Sequence, residues 1–333
     1  MNKRFLLLIG FIGLFLFSCK EDDDIGKGAD NNKEISLDSL NTIPSNLPFA
    51  KYRDLMFLDE NTGYVLSDKF IAKTTDGGHL WTTYPIPIDY PQQYPLKMQF
   101  IDNLTGYITA GENNLGILLK TTDGGQNWNT INLNTLDCPE GMFFLNNDIG
   151  FITGKDLFAK TMNGGETWTN LKNDTTFKYF LGVNFKNENE GIVTATNGEY
   201  FRTSDGGTTW SSFNTVDYLT KNIYFVENQI IVSRNSSASL FDLIKNEGIT
   251  TAPYNSKFVF FNSKQSIAAG THYEELGFFP YNDIFITNDG WKTYSQKTLS
   301  STPSSPCIAK MSESKIMIIY SSLSESYVIT FKK

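Results

Sequence analysis

From about residue 50 onward, short apolar runs alternate with polar breaks in a fixed order. Leu55 to Leu58 is apolar, Asp59-Glu60-Asn61-Thr62 turns the chain, and Tyr64 to Leu66 is a second apolar run. Phe70 to Thr74 is a third, Asp76-Gly77-Gly78 a second turn, and Leu80 to Tyr84 a fourth. Runs this short, bounded by Asp, Asn and Gly, predict β-strands. The same order returns along the chain. Phe57, Phe100, Phe144 and Phe185 each stand six residues before Gly63, Gly106, Gly150 and Gly191, and each glycine is followed by an apolar residue. Weaker echoes fall at Phe225 to Ile231, at Phe261 to Ile267 and near Met311, making seven units of about 42 residues. Four strands per unit at that period predict an all-β chain, a β-propeller of about seven four-stranded blades. The last unit runs out after its third strand, at YVITFKK. The alternating stretch Ile35 to Leu40 is expected to supply the missing strand and so close the ring.

A second motif punctuates the units. KTTDGGHLW, KTTDGGQNW, KTMNGGETW and RTSDGGTTW share Thr-x-Asp/Asn-x-Gly-x-x-Trp. Its positions are Thr74, Asp76, Gly78 and Trp81; Thr121, Asp123, Gly125 and Trp128; Thr161, Asn163, Gly165 and Trp168; and Thr203, Asp205, Gly207 and Trp210. A fifth copy keeps Thr287, Asp289 and an aromatic Tyr294, with Trp291 in the glycine place. The 84-residue gap before it is twice 42, and a worn copy is expected at Asn246-x-Gly248-x-x-Thr251. An Asp or Asn here can accept bonds from N–H groups a few residues on. Glycine takes the positive φ of a tight turn, and the Trp packs the hairpin onto its sheet. Such residues do structural work.

These turns resemble the Asp-box (BNR) repeat, and the short blades with DGG-x-x-W turns look most like the photosystem II stability/assembly factor-like family. The resemblance covers most of residues 50 to 333 and implies a scaffold rather than a photosystem. Asp-box propellers also occur in sialidases, in some glycanases and in sortilin-type receptors.

The first residues read as an export signal. Lys3 and Arg4 precede an apolar stretch from Phe5 to Phe17, too short to span a bilayer, which takes about 20 residues. It ends at Leu16-Phe17-Ser18-Cys19, which resembles a bacterial lipobox. That resemblance implies a signal peptide over 1–18 and a lipidated Cys19, hence a membrane anchor. Residues 19–45 read as a polar, flexible tether (with the closing strand near 35–40), and 46–333 as the propeller. The CKEDDD start resembles the surface-export signal of Bacteroidetes lipoproteins, which implies a chain in the bacterial envelope, anchored to the outer membrane and exposed at the cell surface; the alternative is a solvated spacer facing the periplasm.

Charge narrows the partners. The chain carries −8; removing Lys3 and Arg4 leaves 26 basic against 36 acidic residues, about −10. That argues against nucleic acid, whose phosphates need a basic footprint. Cys138 and Cys307 are expected as unpaired thiols in links on one face of the ring. His79 and His272 are the sole histidines, so neither a metal site nor a cofactor is expected.

Alternating connections put every box turn on one face and the second-to-third loops and interblade links on the other. Three irregular insertions fall on that link face: PIPIDYPQQYPL after the first unit, GENNLG in the second and THYEELGFFPYND in the sixth. They supply the candidate binding residues Tyr90, Tyr94, Glu112, Tyr273, Glu274, Phe278 and Tyr281, since repeat proteins carry function where loops depart from the repeat. Aromatics beside polar groups suit an envelope protein or a glycan. No catalytic residue is assigned. A sialidase mechanism is excluded, because Arg53, Arg202 and Arg234 are the only arginines after the signal and Arg202 takes the repeat place of Lys73, Lys120 and Lys160. The alternative is a glycoside hydrolase using two carboxylates among Glu112, Glu274, Glu275 and Asp283.

Overall fold

The structure, a computed structural model, describes residues 34–36, 40–88, 94–111, 116–133, 139–171, 178–215, 219–234, 240–249, 252–253, 256–273, 280–300, 306–321 and 325–330. Residues 1–33, with Cys19 and most of the stretch expected as signal and tether, lie outside these, as does Cys138.

Seven antiparallel four-stranded sheets account for the strands described. Six are built from consecutive strands, over 52–85, 94–132, 139–170, 180–214, 219–249 and 257–300; these are blades 1 to 6. Blade 7 takes three strands from the C-terminal end, Pro306–Ser312, Lys315–Tyr320 and Glu325–Thr330, and a fourth from the N-terminal end. That fourth strand is Leu40–Pro44, not the expected Ile35 to Leu40. Ile35 is diverted into the core with Ile267, Ile284 and Ile316. The Asn288 side chain pins its backbone, accepting from the Ile35 N–H at 2.9 Å and donating to its carbonyl at 2.9 Å. Blade 7 packs against blade 1 through a core shared by Leu55, Val65 and Trp81 on one side and Ala309, Met317 and Ile319 on the other.

The Phe–Gly landmark has a direct physical cause. Phe57 pairs with Gly63 across the first hairpin, and its ring lies over the glycine; a Cβ there would sit 2.5 Å from it. The same holds at Phe100 and Gly106, Phe144 and Gly150, and Phe185 and Gly191. Each ring then meets a box Trp edge-on, as in Phe57–Trp81 at 6.3 Å and Phe100–Trp128 at 6.1 Å. Across blades, Tyr64 stacks on Phe100 at 3.6 Å and Tyr107 on Phe144 at 3.7 Å. Such pairs contribute about 0.5–1.5 kcal/mol each beyond the area they bury.

Blade 5 breaks the repeat. Its first hairpin is one residue shorter, pairing Phe225 with Ile230. Its third-to-fourth connection is not the worn box expected at Asn246 and Gly248. Asp242 turns the chain instead, accepting from the N–H groups of Ile244 and Lys245, and Gly248 lies within the fourth strand, Glu247–Ile249. Cys307 also departs from expectation. It is a free thiol buried in the innermost strand of blade 7, not a link residue.

Candidate functional site

On the box face, the motif residues are consumed by their own turns. The Thr74 hydroxyl donates to Asp76 at 2.8 Å and accepts from the Gly78 N–H at 2.9 Å; Asp76 accepts from the Leu80 N–H at 2.9 Å. The Trp81 indole N–H donates to the Gly78 carbonyl at 3.0 Å. The turns at Thr121 and Asp123, with Gly125 and Trp128, and at Thr161 and Asn163, with Gly165 and Trp168, repeat this set. So does the turn at Thr203 and Asp205, with Gly207 and Trp210. In the fifth, Trp291 stands in the glycine place with φ 67°, and its N–H donates to Thr287 at 3.0 Å. Asp289 accepts from the Thr293 N–H at 2.9 Å, while Tyr294, in the Trp place, is exposed.

The link-face mouth of the ring is built differently. The innermost strands of blades 1 to 4 each carry a register shift near the link face, between Tyr52 and Asp54, Pro95 and Lys97, Pro139 and Gly141, and Phe180 and Gly182. A bulge frees one residue from the ladder and re-aims its side chain. The four freed positions are Arg53, Leu96, Glu140 and Leu181, so identical backbone devices present a cation, an acid and two aliphatic groups.

Arg53 anchors the cluster. Its Nε donates to Asp68 in the second-to-third loop of the same blade, and its guanidinium lies 5.4 Å from the Tyr94 ring centre in blade 2. Lys257 of blade 6 reaches the Arg53 carbonyl at 3.1 Å and the Cys307 sulfur at 3.7 Å. Burial pushes the Cys307 thiol up from its ordinary value. Burial also works to lower the Lys257 ammonium, but Cys307 and Asp54 outweigh it and its pKa is raised. Glu140 accepts from the Tyr179 hydroxyl at 3.1 Å, and Lys178 pairs with Glu199 at 3.1 Å. The mouth thus carries both signs of charge beside aromatic faces.

Of the seven loop residues expected to bind, the structure brings Tyr94 to this mouth, at the start of its innermost strand. Tyr281 sits in the third strand of blade 6, in register with His272, and Tyr273 ends the second strand of that blade. Tyr90, Glu112, Glu274 and Phe278 lie outside the described residues, as does Glu275. Asp283, offered as a hydrolytic carboxylate, is fully buried and accepts from the Thr298 hydroxyl at 2.7 Å, so it cannot meet a substrate there. Sequence reasoning passed over Arg53, Asp68, Glu140 and Lys257. The one signal was that the position four residues before each landmark Phe changes character from blade to blade.

These sheets and turns define an Asp-box β-propeller. Residues 40–176 match the family described as photosynthesis system II assembly factor YCF48. The chain is an Asp-box propeller that resembles the photosystem II stability/assembly factor-like family. A curated relative, the photosystem II assembly lipoprotein Ycf48 of Synechococcus sp. (strain CC9902), is 28% identical over 169 residues, 49% of this chain and 46% of its own. The chain therefore aligns with about half the length of that relative. Among solved structures, YCF48 bound to a D1 peptide has a TM-score of 0.64 at 19% identity, covering 90% of this chain and 100% of that one. YCF48 from Cyanidioschyzon merolae scores 0.62 at 16%, covering 88% and 99%. The GH74 enzyme of Niastella koreensis scores 0.63 at 13%, covering 86% of this chain and 53% of that one. At these identities the likeness is one of fold.

Proposed function

We propose that this chain is a non-catalytic envelope scaffold, anchored through lipid on Cys19, that binds a polypeptide at the link-face mouth of the ring. The observation that carries this reading is the bulged set of innermost strands, which turns Arg53 and Glu140 out of their ladders beside Tyr94 and Tyr179. Charges of both signs next to aromatic rings match the mixed surface of a peptide better than the uncharged hydroxyls of a glycan. A fold neighbour solved with a peptide bound supports the same direction.

Export and outer-membrane attachment rest on the apolar stretch ending at Ser18-Cys19 and on the acidic tether that follows. Cys19→Ala is expected to abolish palmitate labelling; labelling that persists contradicts the anchor. For the binding role, the purified chain is panned against a random linear peptide display library and, in parallel, a glycan array with product analysis. Selected peptides whose affinity falls at least tenfold in Arg53→Glu support the reading. Glycan retention without peptide selection redirects it to carbohydrate, and cleavage of a retained glycan makes the chain a glycoside hydrolase.

A further inference from the structure

Blades 1 to 3 share a latch to the next blade. Lys73, Lys120 and Lys160, each just before its box Thr, run over an aromatic ring of the same blade, Tyr64, Tyr107 or Phe151, at 5.3 to 5.5 Å. Their ammonium groups donate to carbonyls of the following blade: Lys73 to Asn103 at 3.2 Å, Lys120 to Gly164 at 2.9 Å and Lys160 to Gly206 at 2.8 Å. The groove between these blades is thus filled by a ring and a cation.

Between blades 5 and 6 the two latch positions carry neither the ring nor the cation. Tyr64 pairs with Lys73 in blade 1, and the matching pair in blade 5 is Ile231 with Asp242. An aliphatic group replaces the ring and a carboxylate replaces the cation. What remains is a cleft of about 680 Å³, lined among others by Gln229, Asp242, Gly290 and Trp291, within the size range of ligand sites, roughly 300–1,000 Å³. Gly290 holds the place in its box that Gly164 and Gly206 hold in theirs, where each accepts a latch lysine. Asp242 is buried, and accepts from the Gln229 amide at 2.9 Å.

Two buried polar atoms here have no hydrogen-bond partner among the described residues: the Gln229 carbonyl oxygen and the Trp291 indole nitrogen. A buried donor or acceptor left without a partner keeps its full desolvation penalty. Trp291 is also held at φ 67° while 1% exposed, a left-handed conformation that a bulky side chain seldom takes. Strain and unmade bonds of this kind collect where a ligand completes a site.

We propose that the cleft between blades 5 and 6 receives a lysine or arginine side chain of a partner polypeptide, standing in for the latch cation that blade 5 lacks. The acceptors Asp242 and Gln229, with the Gly290 carbonyl, take the cationic head, and a backbone carbonyl of the same segment takes the Trp291 N–H. A bare metal ion would leave that N–H unpaired; a peptide answers both. Glu227 and Glu247 at the rim add to the attraction. Lys245 and Lys292 also line the cleft; Lys245 stands 3.7 Å from Asp242 and 3.5 Å from Glu247, but its side chain is 54% exposed, and so loose a pair is readily displaced. This site is on the box face, separate from the link-face mouth.

The test uses the full chain labelled at its five Trp indoles with ¹⁵N, the Trp291 signal being assigned with Trp291→Phe. It is titrated with a blocked heptapeptide carrying one central lysine among Gly and Ser, and with the same peptide carrying norleucine. The lysine peptide is expected to shift the Trp291 signal saturably and the norleucine peptide to leave it in place. Asp242→Asn is expected to weaken binding at least tenfold. The pair Ile231→Tyr with Asp242→Lys, which puts a ring and a cation at these two positions of the cleft, is expected to abolish it. An unmoved Trp291 signal at millimolar lysine peptide, or equal binding by norleucine, overturns the proposal. So does undiminished affinity in Asp242→Asn, which decides the matter if the double variant does not fold.

Discussion

At Gly63, Gly106, Gly150 and Gly191 a hydrogen stands where a phenylalanine ring leaves no room for carbon. Gly63→Ala is therefore expected to destabilise the chain by about 1–3 kcal/mol, the usual cost of forcing atoms into a filled core. Adding Phe57→Leu should return part of it, as denaturant melts of the single and double variants will show. The box acids follow different physics. The Thr209 hydroxyl and then the Thr209 N–H hold Asp205 down from 3.8 to about 2, and Asp76 and Asp123 are lowered chiefly by backbone N–H groups. A folded pKa below the unfolded one contributes stability above about pH 4, and that contribution is lost as pH falls through about 2. Asn163 shows that an amide can hold the same turn. Replacing Asp76, Asp123 and Asp205 with Asn should leave the neutral-pH melt nearly unchanged and flatten the loss of stability between pH 4 and pH 2. A slope equal to wild type would show that these turns do not govern acid unfolding.

At the scale of the element, the closing strand is the least protected joint. Leu40–Pro44 pairs with the strand Glu325–Thr330, which would otherwise be the outer edge of blade 7. An unpaired edge exposes a row of backbone donors and acceptors to other chains. A chain beginning at residue 46 is expected to melt well below one beginning at residue 34 and to self-associate by light scattering; equal melting would deny the strand its role. The blades were legible in sequence because a turn needs Asp, Asn or Gly at fixed places, and the Phe–Gly collision leaves its own mark. The closing strand was misplaced by a few residues because Ile35 has the same alternating surroundings as a strand, and only Asn288, more than 250 residues away, decides otherwise. Blade 5 misled because Asp242 supplies by a shorter turn what a box supplies elsewhere.

For the whole molecule, the repeat produces two unlike faces. On one, the box side chains of blades 1 to 4 are spent on their own turns; on the other, bulges release residues that the fold does not need in the ladder. This is why Arg53 and Glu140 were invisible to motif reading. Bulge positions are set by pairing between strands, while the residue placed there is free to vary. The central claim is that a polypeptide binds at this mouth, and site-directed photocrosslinking in living cells tests it most directly. A benzophenone amino acid at Glu140 is compared with one at Thr208, an exposed position in a box turn. The account predicts a discrete protease-sensitive adduct from position 140 that Arg53→Glu removes. An adduct only from position 208, or none from position 140, would contradict it.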